Sequence, residues 1–141
     1  MTPEWRTLRF AALWVFGSIA GRAPGTDPVE DDAFWDALHD LAFRLHGPGG
    51  DFLRATAAEG RSALVADLHA DARPLASGLF AVATVLDADP ETGPAIRAVL
   101  IRLARDIATA RGPHGRSISR DDAESLALVA EMLDATDLIP A

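Results

Sequence analysis

The chain has 141 residues, a length that fits one domain able to bury a hydrophobic core without disulfides or a structural metal. It contains no cysteine, which excludes thiolate metal sites, iron–sulfur clusters and cysteine nucleophiles and fits a cytoplasmic location. Its formal net charge of -8 at pH 7 argues against a nucleic-acid partner, because duplex binding depends on basic side chains at the phosphates.

The first predicted helix runs from Pro3 to Ala20. Thr2 stands at its capping position, Pro3 at its first helical position and Glu4 in its first turn, an order typical of a helix start. The stretch from Phe10 to Ala20 carries no charge, but its eleven residues are too few to span a bilayer. We therefore expect this helix to lie at the centre of a soluble protein, and we do not interpret it as a secretory signal.

The second predicted helix follows the acidic stretch TDPVEDD and runs from Pro28 to His46. Asp27 is its expected N-cap, and Glu30 stands three residues later, where a capping-box acid belongs. Its apolar residues recur at spacings of four, three and four, at Phe34, Leu38, Leu41 and Leu45.

Five further helices are predicted from capping residues and apolar spacing. Their expected bounds are 51–59, 62–70, 73–87, about 93–111 and 119–134. The expected N-caps of the first, second and last of these are Asp51, Ser62 and Ser119. No segment alternates over strand length. The sequence therefore predicts an all-α, single-domain bundle of about six or seven helices over residues 1–141.

The start of the second helix has an echo near the other end of the chain. Laying Asp27 on Ser119 aligns Glu30 with Asp122, and a glycine-rich loop after a long apolar helix precedes each start. The chain thus reads as a pseudo-twofold repeat of two helix–loop–helix units separated by shorter helices.

Two segments carry this arrangement, FGSIAGRAPGTDPVEDDAFWDAL at 16–38 and ATARGPHGRSISRDDAESLALVAEML at 108–133. In them the chain resembles the TerB-like (tellurite resistance protein B-like) family. The resemblance implies an all-helical, non-enzymatic domain of a stress or tellurite-resistance response, with a divalent cation such as Ca²⁺ or Mg²⁺ held at the acidic loops and no other cofactor. The residues of this chain at or beside the motif positions are Asp27, Glu30, Asp31, His114, Ser119 and Asp122.

The acidic loop motifs are degenerate. The family usually has an acid before the loop glycine, whereas this chain has Ala20 before Gly21, or Ala23 before Pro24, and His114 before Gly115. The first loop also lacks the alternating oxygen ligands of an EF-hand. Helix capping and the helix dipole account for its acids without an ion, and both interpretations stay open here.

The second helix also carries acids four residues apart, at Asp32, Asp36 and Asp40. Like charges at this spacing repel, and Arg44 is placed to offset Asp40. A solvated face explains them, and so does a basic partner. The alternative function is therefore a protein–protein interaction module without an ion. The expected partner is another protein, with a membrane-associated protein and a second copy of the chain left open.

No residues form a credible nucleophile–base or acid–base set, so no enzymatic activity is predicted. Ser62 lacks the G-x-S-x-G elbow, and GPGGD lacks the ending of a phosphate-binding loop. The four histidines lack zinc-site spacing and are expected at the surface or at helix ends. All basic residues are arginine, a bias typical of a GC-rich genome and not evidence that arginine was selected for chemistry.

Overall fold

The computed structural model describes residues 1–112 and 117–138. The helices there are α1 (Pro3–Leu8), α2 (Ala11–Ala20), α3 (Pro28–Arg44), α4 (Gly47–Ala58), α5 (Arg61–Ala70), α6 (Leu75–Asp87), α7 (Gly93–Arg111), α8 (Arg120–Met132) and a 3₁₀ turn (Thr136–Leu138). No strand occurs in these two ranges, so the predicted all-α bundle is confirmed.

Helix α2 lies at the centre of the bundle, as its apolar sequence predicts. All its residues from Ala11 to Gly17 are buried, and it packs against α6, α7 and α8. Phe16 stacks on Phe34 of α3 with ring centroids 4.6 Å apart. Within the described ranges, no helix combines the length and the apolar composition needed to cross a membrane.

The first predicted helix is interrupted, which corrects the expectation of one helix from Pro3 to Ala20. The chain forms a turn at Arg9 and Phe10, where the Phe10 N–H donates to the Thr7 carbonyl. The Arg9 guanidinium at this turn binds Glu59 and Asp67, each at 2.7 Å. The interruption thus places a basic side chain against α4 and α5.

Helix α4 begins at Gly47, so the predicted glycine loop is in fact its first turn. The glycines allow close packing here, because a Cβ on Gly49 would lie 3.2 Å from the Ala95 carbonyl oxygen and one on Gly50 would lie 2.3 Å from that of Leu45. Asp51 is therefore not a cap. It lies inside the helix and pairs with Arg54 at 2.6 Å.

Two other predicted helix starts are also displaced. Gly60, with φ of 87°, precedes α5, so Ser62 lies within the helix instead of capping it. Pro74 precedes α6, and Arg73 lies outside that helix, where it pairs with Asp71. In both places a glycine or a proline, and not a side-chain cap, marks the boundary.

Candidate interaction site around helix α3

The N-termini of α3 and α8 are capped as the sequence predicts. Asp27 Oδ1 accepts hydrogen bonds from the Val29 N–H at 3.0 Å and the Glu30 N–H at 3.3 Å. Ser119 Oγ accepts from the Asp122 N–H at 3.1 Å. Helix initiation therefore accounts for two of the six residues predicted to hold a metal.

Glu30 does not complete a capping box, which corrects that expectation. Its carboxylate forms ion pairs with Arg22, from the loop before α3, and with Arg111, the last residue of α7. Among the described residues, no hydrogen bond joins it to the Asp27 N–H. The Arg111 guanidinium donates a charge-assisted hydrogen bond to Glu30, which is stronger than one from a backbone amide, and the positive charge of Arg22 adds to it.

Arg111 joins the two loops. Its Nε donates to Asp122 Oδ2 at 3.1 Å while its Nη1 binds Glu30, so the two aligned acids meet at one guanidinium. Arg22 also contacts Asp27 at 3.1 Å. We name these five residues, Arg22, Asp27, Glu30, Arg111 and Asp122, the loop cluster. Asp122 is only 6% exposed, whereas the Arg111 side chain is 27% exposed, so the pairing is buried on its Asp122 side and reaches solvent on its arginine side.

Arginine supplies the positive charge at the loop cluster. Ca²⁺ or Mg²⁺ needs about six or more oxygen ligands, and the carboxylates of Glu30 and Asp122 already accept from guanidinium groups. Within 1–112 and 117–138, no three His, Asp or Glu side chains are grouped as metal ligands would be. His114 lies outside the described residues, and the metal site stays a prediction.

The Asp31 N–H donates to the Asp27 carbonyl at 2.9 Å, but within the described residues its carboxylate forms no ion pair or hydrogen bond with the loop cluster. Asp31 is 5% exposed, and its Oδ1 has no hydrogen-bond partner in the described part of the chain. It lines a separate cleft between α3 and α5, together with Trp35 and His69. The structure thus does not bring Asp31 together with Glu30 and Asp122.

The outward surface of α3 carries both acids and apolar side chains. Val29, Asp36 and Phe43 follow each other at seven-residue spacing, which places them in one line along the helix. Val29 is 78% exposed and Phe43 is 87% exposed. We name this line, with the neighbouring Asp32 and Asp40, the α3 outer face. Asp40 pairs with Arg44 at 2.7 Å, as predicted, and Asp32 pairs with Arg61 at 2.7 Å.

An apolar cavity of about 210 Å³ lies between α3 and α7, beside this face. Phe16, Phe34, Ala37 and Ile107 contribute to its apolar lining. Glu30 and Arg111 line it as well, and so does Asp106 of α7. A partly enclosed apolar space with a few polar groups is typical of a binding pocket.

Asp106 differs electrostatically from Glu30, the other acid in the lining of this cavity. Desolvation by the surrounding protein raises its pKa, although its side chain reaches the surface, and the nearby Arg102, Arg44 and Arg105 only partly oppose this. In the described ranges no basic nitrogen lies within 4.0 Å of its carboxylate. A desolvated carboxylate without a close cation favours the protonated form, which explains why the pKa of Asp106 is raised.

The C-terminus of α3 is also held by an arginine. Arg54 Nη1 donates to the carbonyls of Ala42 at 2.6 Å and Leu45 at 2.8 Å. These carbonyls belong to the last turn of α3 and the residue that follows it, where backbone acceptors lack helical partners. Guanidinium groups from other elements thus contact α3 at both ends.

Sequence reasoning missed Arg22, Arg111 and Asp106. Because every basic residue of the chain is arginine, the sequence does not distinguish the arginines of the site from the others. An arginine in the last turn of a helix is, moreover, already explained by the helix dipole. Nothing in spacing along the chain links Arg111 to Glu30, 81 residues away. The three described histidines, His39, His46 and His69, lie at the surface as predicted.

Comparison of the chain with protein-family models, with curated proteins and with solved structures found no match. The similarity to the TerB-like family therefore rests on the sequence motifs given above. The fold and the arrangement around α3 are established by the structure alone.

Proposed function

We propose that this chain is a non-enzymatic protein-interaction domain whose α3 outer face binds a basic partner segment that carries apolar residues. The observation that supports this most strongly is the line of Val29, Asp36 and Phe43. Two large apolar side chains are exposed at its ends, with a carboxylate between them. Exposed apolar residues mixed with charge of one sign favour a partner with matching apolar groups and opposite charge.

The α3–α7 cavity strengthens the proposal. It opens beside Val29 and is lined by Ala37 and Phe34, so an apolar side chain of the partner has a place to insert. Interfaces gain most of their affinity from a few such anchors, and surrounding charges mainly set the association rate and the choice of partner. In this interpretation the cavity holds the anchor and the acids of α3 select a basic segment.

The proposal is tested by affinity capture with the tagged chain, followed by affinity measurement on the captured partner. We expect Phe43→Ser combined with Asp36→Arg to abolish capture, because it removes the apolar end of the line and reverses the charge at its middle. Phe80→Ser is the matched control, since Phe80 is 57% exposed on α6, away from the α3 outer face.

Two results would contradict this function. The first is equal loss of capture with the Phe80 control, which would indicate non-specific apolar adhesion. The second is an affinity that stays constant as salt rises, because exposed charge pairs are screened by ions.

A divalent cation at the loop cluster is the second candidate, which the TerB-like resemblance suggests. Glu30 and Asp122 lie close enough to share one cation, and Arg111 holds that position in the structure. The cation would displace the Arg111 guanidinium and bind the carboxylates of Glu30 and Asp122 in its place. Calorimetric titration with Ca²⁺, Mg²⁺, Mn²⁺ and Zn²⁺ tests this directly. Heat signals that persist unchanged after Asp27→Ala with Glu30→Ala would rule it out.

The biological setting that we propose is a stress or tellurite-resistance response, which follows from the TerB-like resemblance. A cytoplasmic location is part of the proposal because it fits the absence of cysteine. Deleting the gene and measuring growth with and without tellurite checks it. The chain has no cysteine, so it cannot itself reduce tellurite through a thiol. A role in such a response would therefore depend on the binding of a partner.

A further inference from the structure

The cleft between α3 and α5 lies on the other flank of α3 from the α3–α7 cavity. It measures about 450 Å³, and its lining includes Asp31, Trp35, Arg61, Ser62, Val65 and His69. The proposed protein-binding function uses none of these residues. The cleft is therefore a separate candidate site, and an inference about it stands independently of that function.

Asp31 is the unusual group in this cleft. Buried carboxylates in folded proteins are normally paired or accept several hydrogen bonds, yet Asp31 Oδ1 accepts none within the described residues. The two basic side chains of the lining have other partners. Arg61 binds Asp32 at 2.7 Å, and His69 Nε2 lies 2.8 Å from the Pro24 carbonyl oxygen. No ion pair or side-chain hydrogen bond occupies the Asp31 carboxylate within the described residues, and because Asp31 lines the cleft, its carboxylate is the acceptor that a cation entering the cleft would meet.

The lining favours one kind of cation. It supplies a single carboxylate with the hydroxyl of Ser62, which is too few oxygens for Ca²⁺ or Mg²⁺. A guanidinium prefers a planar, two-oxygen acceptor, whereas an ammonium is a compact donor that one oxygen can satisfy. The apolar surfaces of Trp35 and Val65 suit the methylene stem of an alkylammonium, and an indole ring also attracts a cation.

We propose that the α3–α5 cleft binds an alkylammonium group, which donates to Asp31 and packs its methylene chain against Trp35 and Val65. A lysine side chain of another protein and a free polyamine both carry this group. The net charge of -8 adds a general attraction for either.

The test is a titration of the full chain with n-butylammonium, N-acetyl-lysine amide and spermidine, followed by chemical shifts of the backbone amides and the Trp35 indole. We expect saturable shifts confined to α3 and α5. Tighter binding of the lysine derivative would indicate a protein ligand, and tighter binding of spermidine would indicate a polyamine. Either result supports the site.

Asp31→Asn keeps the shape and removes the charge, so we expect affinity to fall at least about tenfold, as for loss of a charge-assisted hydrogen bond. Glu131→Gln is the matched control, because Glu131 is an exposed acid of α8 that lies outside both the cleft and the α3 outer face. Ala66→Phe is a second variant. Ala66 lies in the exposed part of the lining, so a large side chain there should block entry without disturbing the core.

Three results would overturn the proposal. These are the absence of saturable shifts with all three probes, equal loss of affinity in Asp31→Asn and Glu131→Gln, and, in a further titration with n-butylguanidinium, an affinity equal to that for n-butylammonium. Thermal unfolding of each variant verifies folding. If Asp31→Asn fails to fold, unchanged binding by folded Ala66→Phe also overturns the site.

Discussion

The α3–α7 cavity has two acidic regions, which differ in whether their carboxylates are paired with a cation. At the loop cluster, Glu30 and Asp122 share the Arg111 guanidinium. Five residues earlier on α7, Asp106 has no such ion pair in the described structure, and its pKa is raised by desolvation. Paired carboxylates hold elements together, whereas a carboxylate without a close cation remains available to a basic partner. The loop cluster therefore acts as a structural tie, and the Asp106 region fits a binding surface.

The largest effect is expected from removing the tie with Arg111→Met. This leaves Glu30 and the nearly buried Asp122 without their shared cation, and removal of one member of a buried pair is costly. A fully buried pair would cost about 3–5 kcal/mol, and because the Arg111 side chain is 27% exposed, we expect a smaller loss of about 2–3 kcal/mol in the free energy of unfolding, measured by chemical denaturation.

Arg105→Met is the control for that experiment, because Arg105 is an exposed arginine of the same helix without an ion pair within the described residues. It should change stability by less than about 0.5 kcal/mol. Similar losses for the two variants would mean that the loop cluster contributes no more than an ordinary surface charge.

A smaller loss is expected at the two helix caps. Asp27→Ala and Ser119→Ala each remove the side-chain acceptor of a helix start, and each should cost about 1 kcal/mol by thermal or chemical unfolding. Asp27→Asn and Ser119→Asp retain a capping oxygen and should recover most of the loss. Failure of both conservative variants to recover stability would assign the effect to something other than capping.

The smallest effect, with the opposite sign, is expected for Asp106→Asn. Because the folded pKa of Asp106 is raised, the folded state holds this proton at pH values where the unfolded chain has released it. The stability of the wild type should therefore fall as pH rises from the ordinary carboxyl pKa of 3.8 through the folded pKa.

Asparagine cannot ionise, so the Asp106 variant should be slightly more stable than the wild type at neutral pH, with the difference vanishing in acid. Unfolding measured across this pH range in both proteins checks the sign. A neutral-pH stability below that of the wild type would show that attraction to Arg102, Arg44 and Arg105 outweighs the desolvation.

The helix caps could be predicted from the sequence because capping is local. Asp27 and Ser119 each bond to amides two or three residues away, and those positions can be read along the chain. The all-α class follows equally from local spacing. The wrongly predicted helix starts are those where tertiary packing determines the boundary. At Gly49 and Gly50, for example, the absence of a side chain lets α7 and the residue after α3 pack closely against α4.

The electrostatic arrangement of the site could not be predicted in this way. Whether Glu30 bonds to its own helix or to Arg111 depends on how α7 is placed, which no local pattern encodes. The same holds for Asp31 and Asp32, which adjoin in sequence. Asp32 pairs with Arg61 at the surface, while Asp31 lies buried with an unused oxygen. Their different environments arise only when α3 packs into the bundle.

The contacts of Arg54 with the end of α3 have a consequence for binding. With Arg111 at one terminus and Arg54 at the other, neither end of α3 is free to fray. A partner would meet a surface whose backbone is already ordered, so little conformational entropy would be lost on association. Binding by α3 would then be docking onto a helix ordered in advance, and its affinity would be set by the side-chain contacts alone.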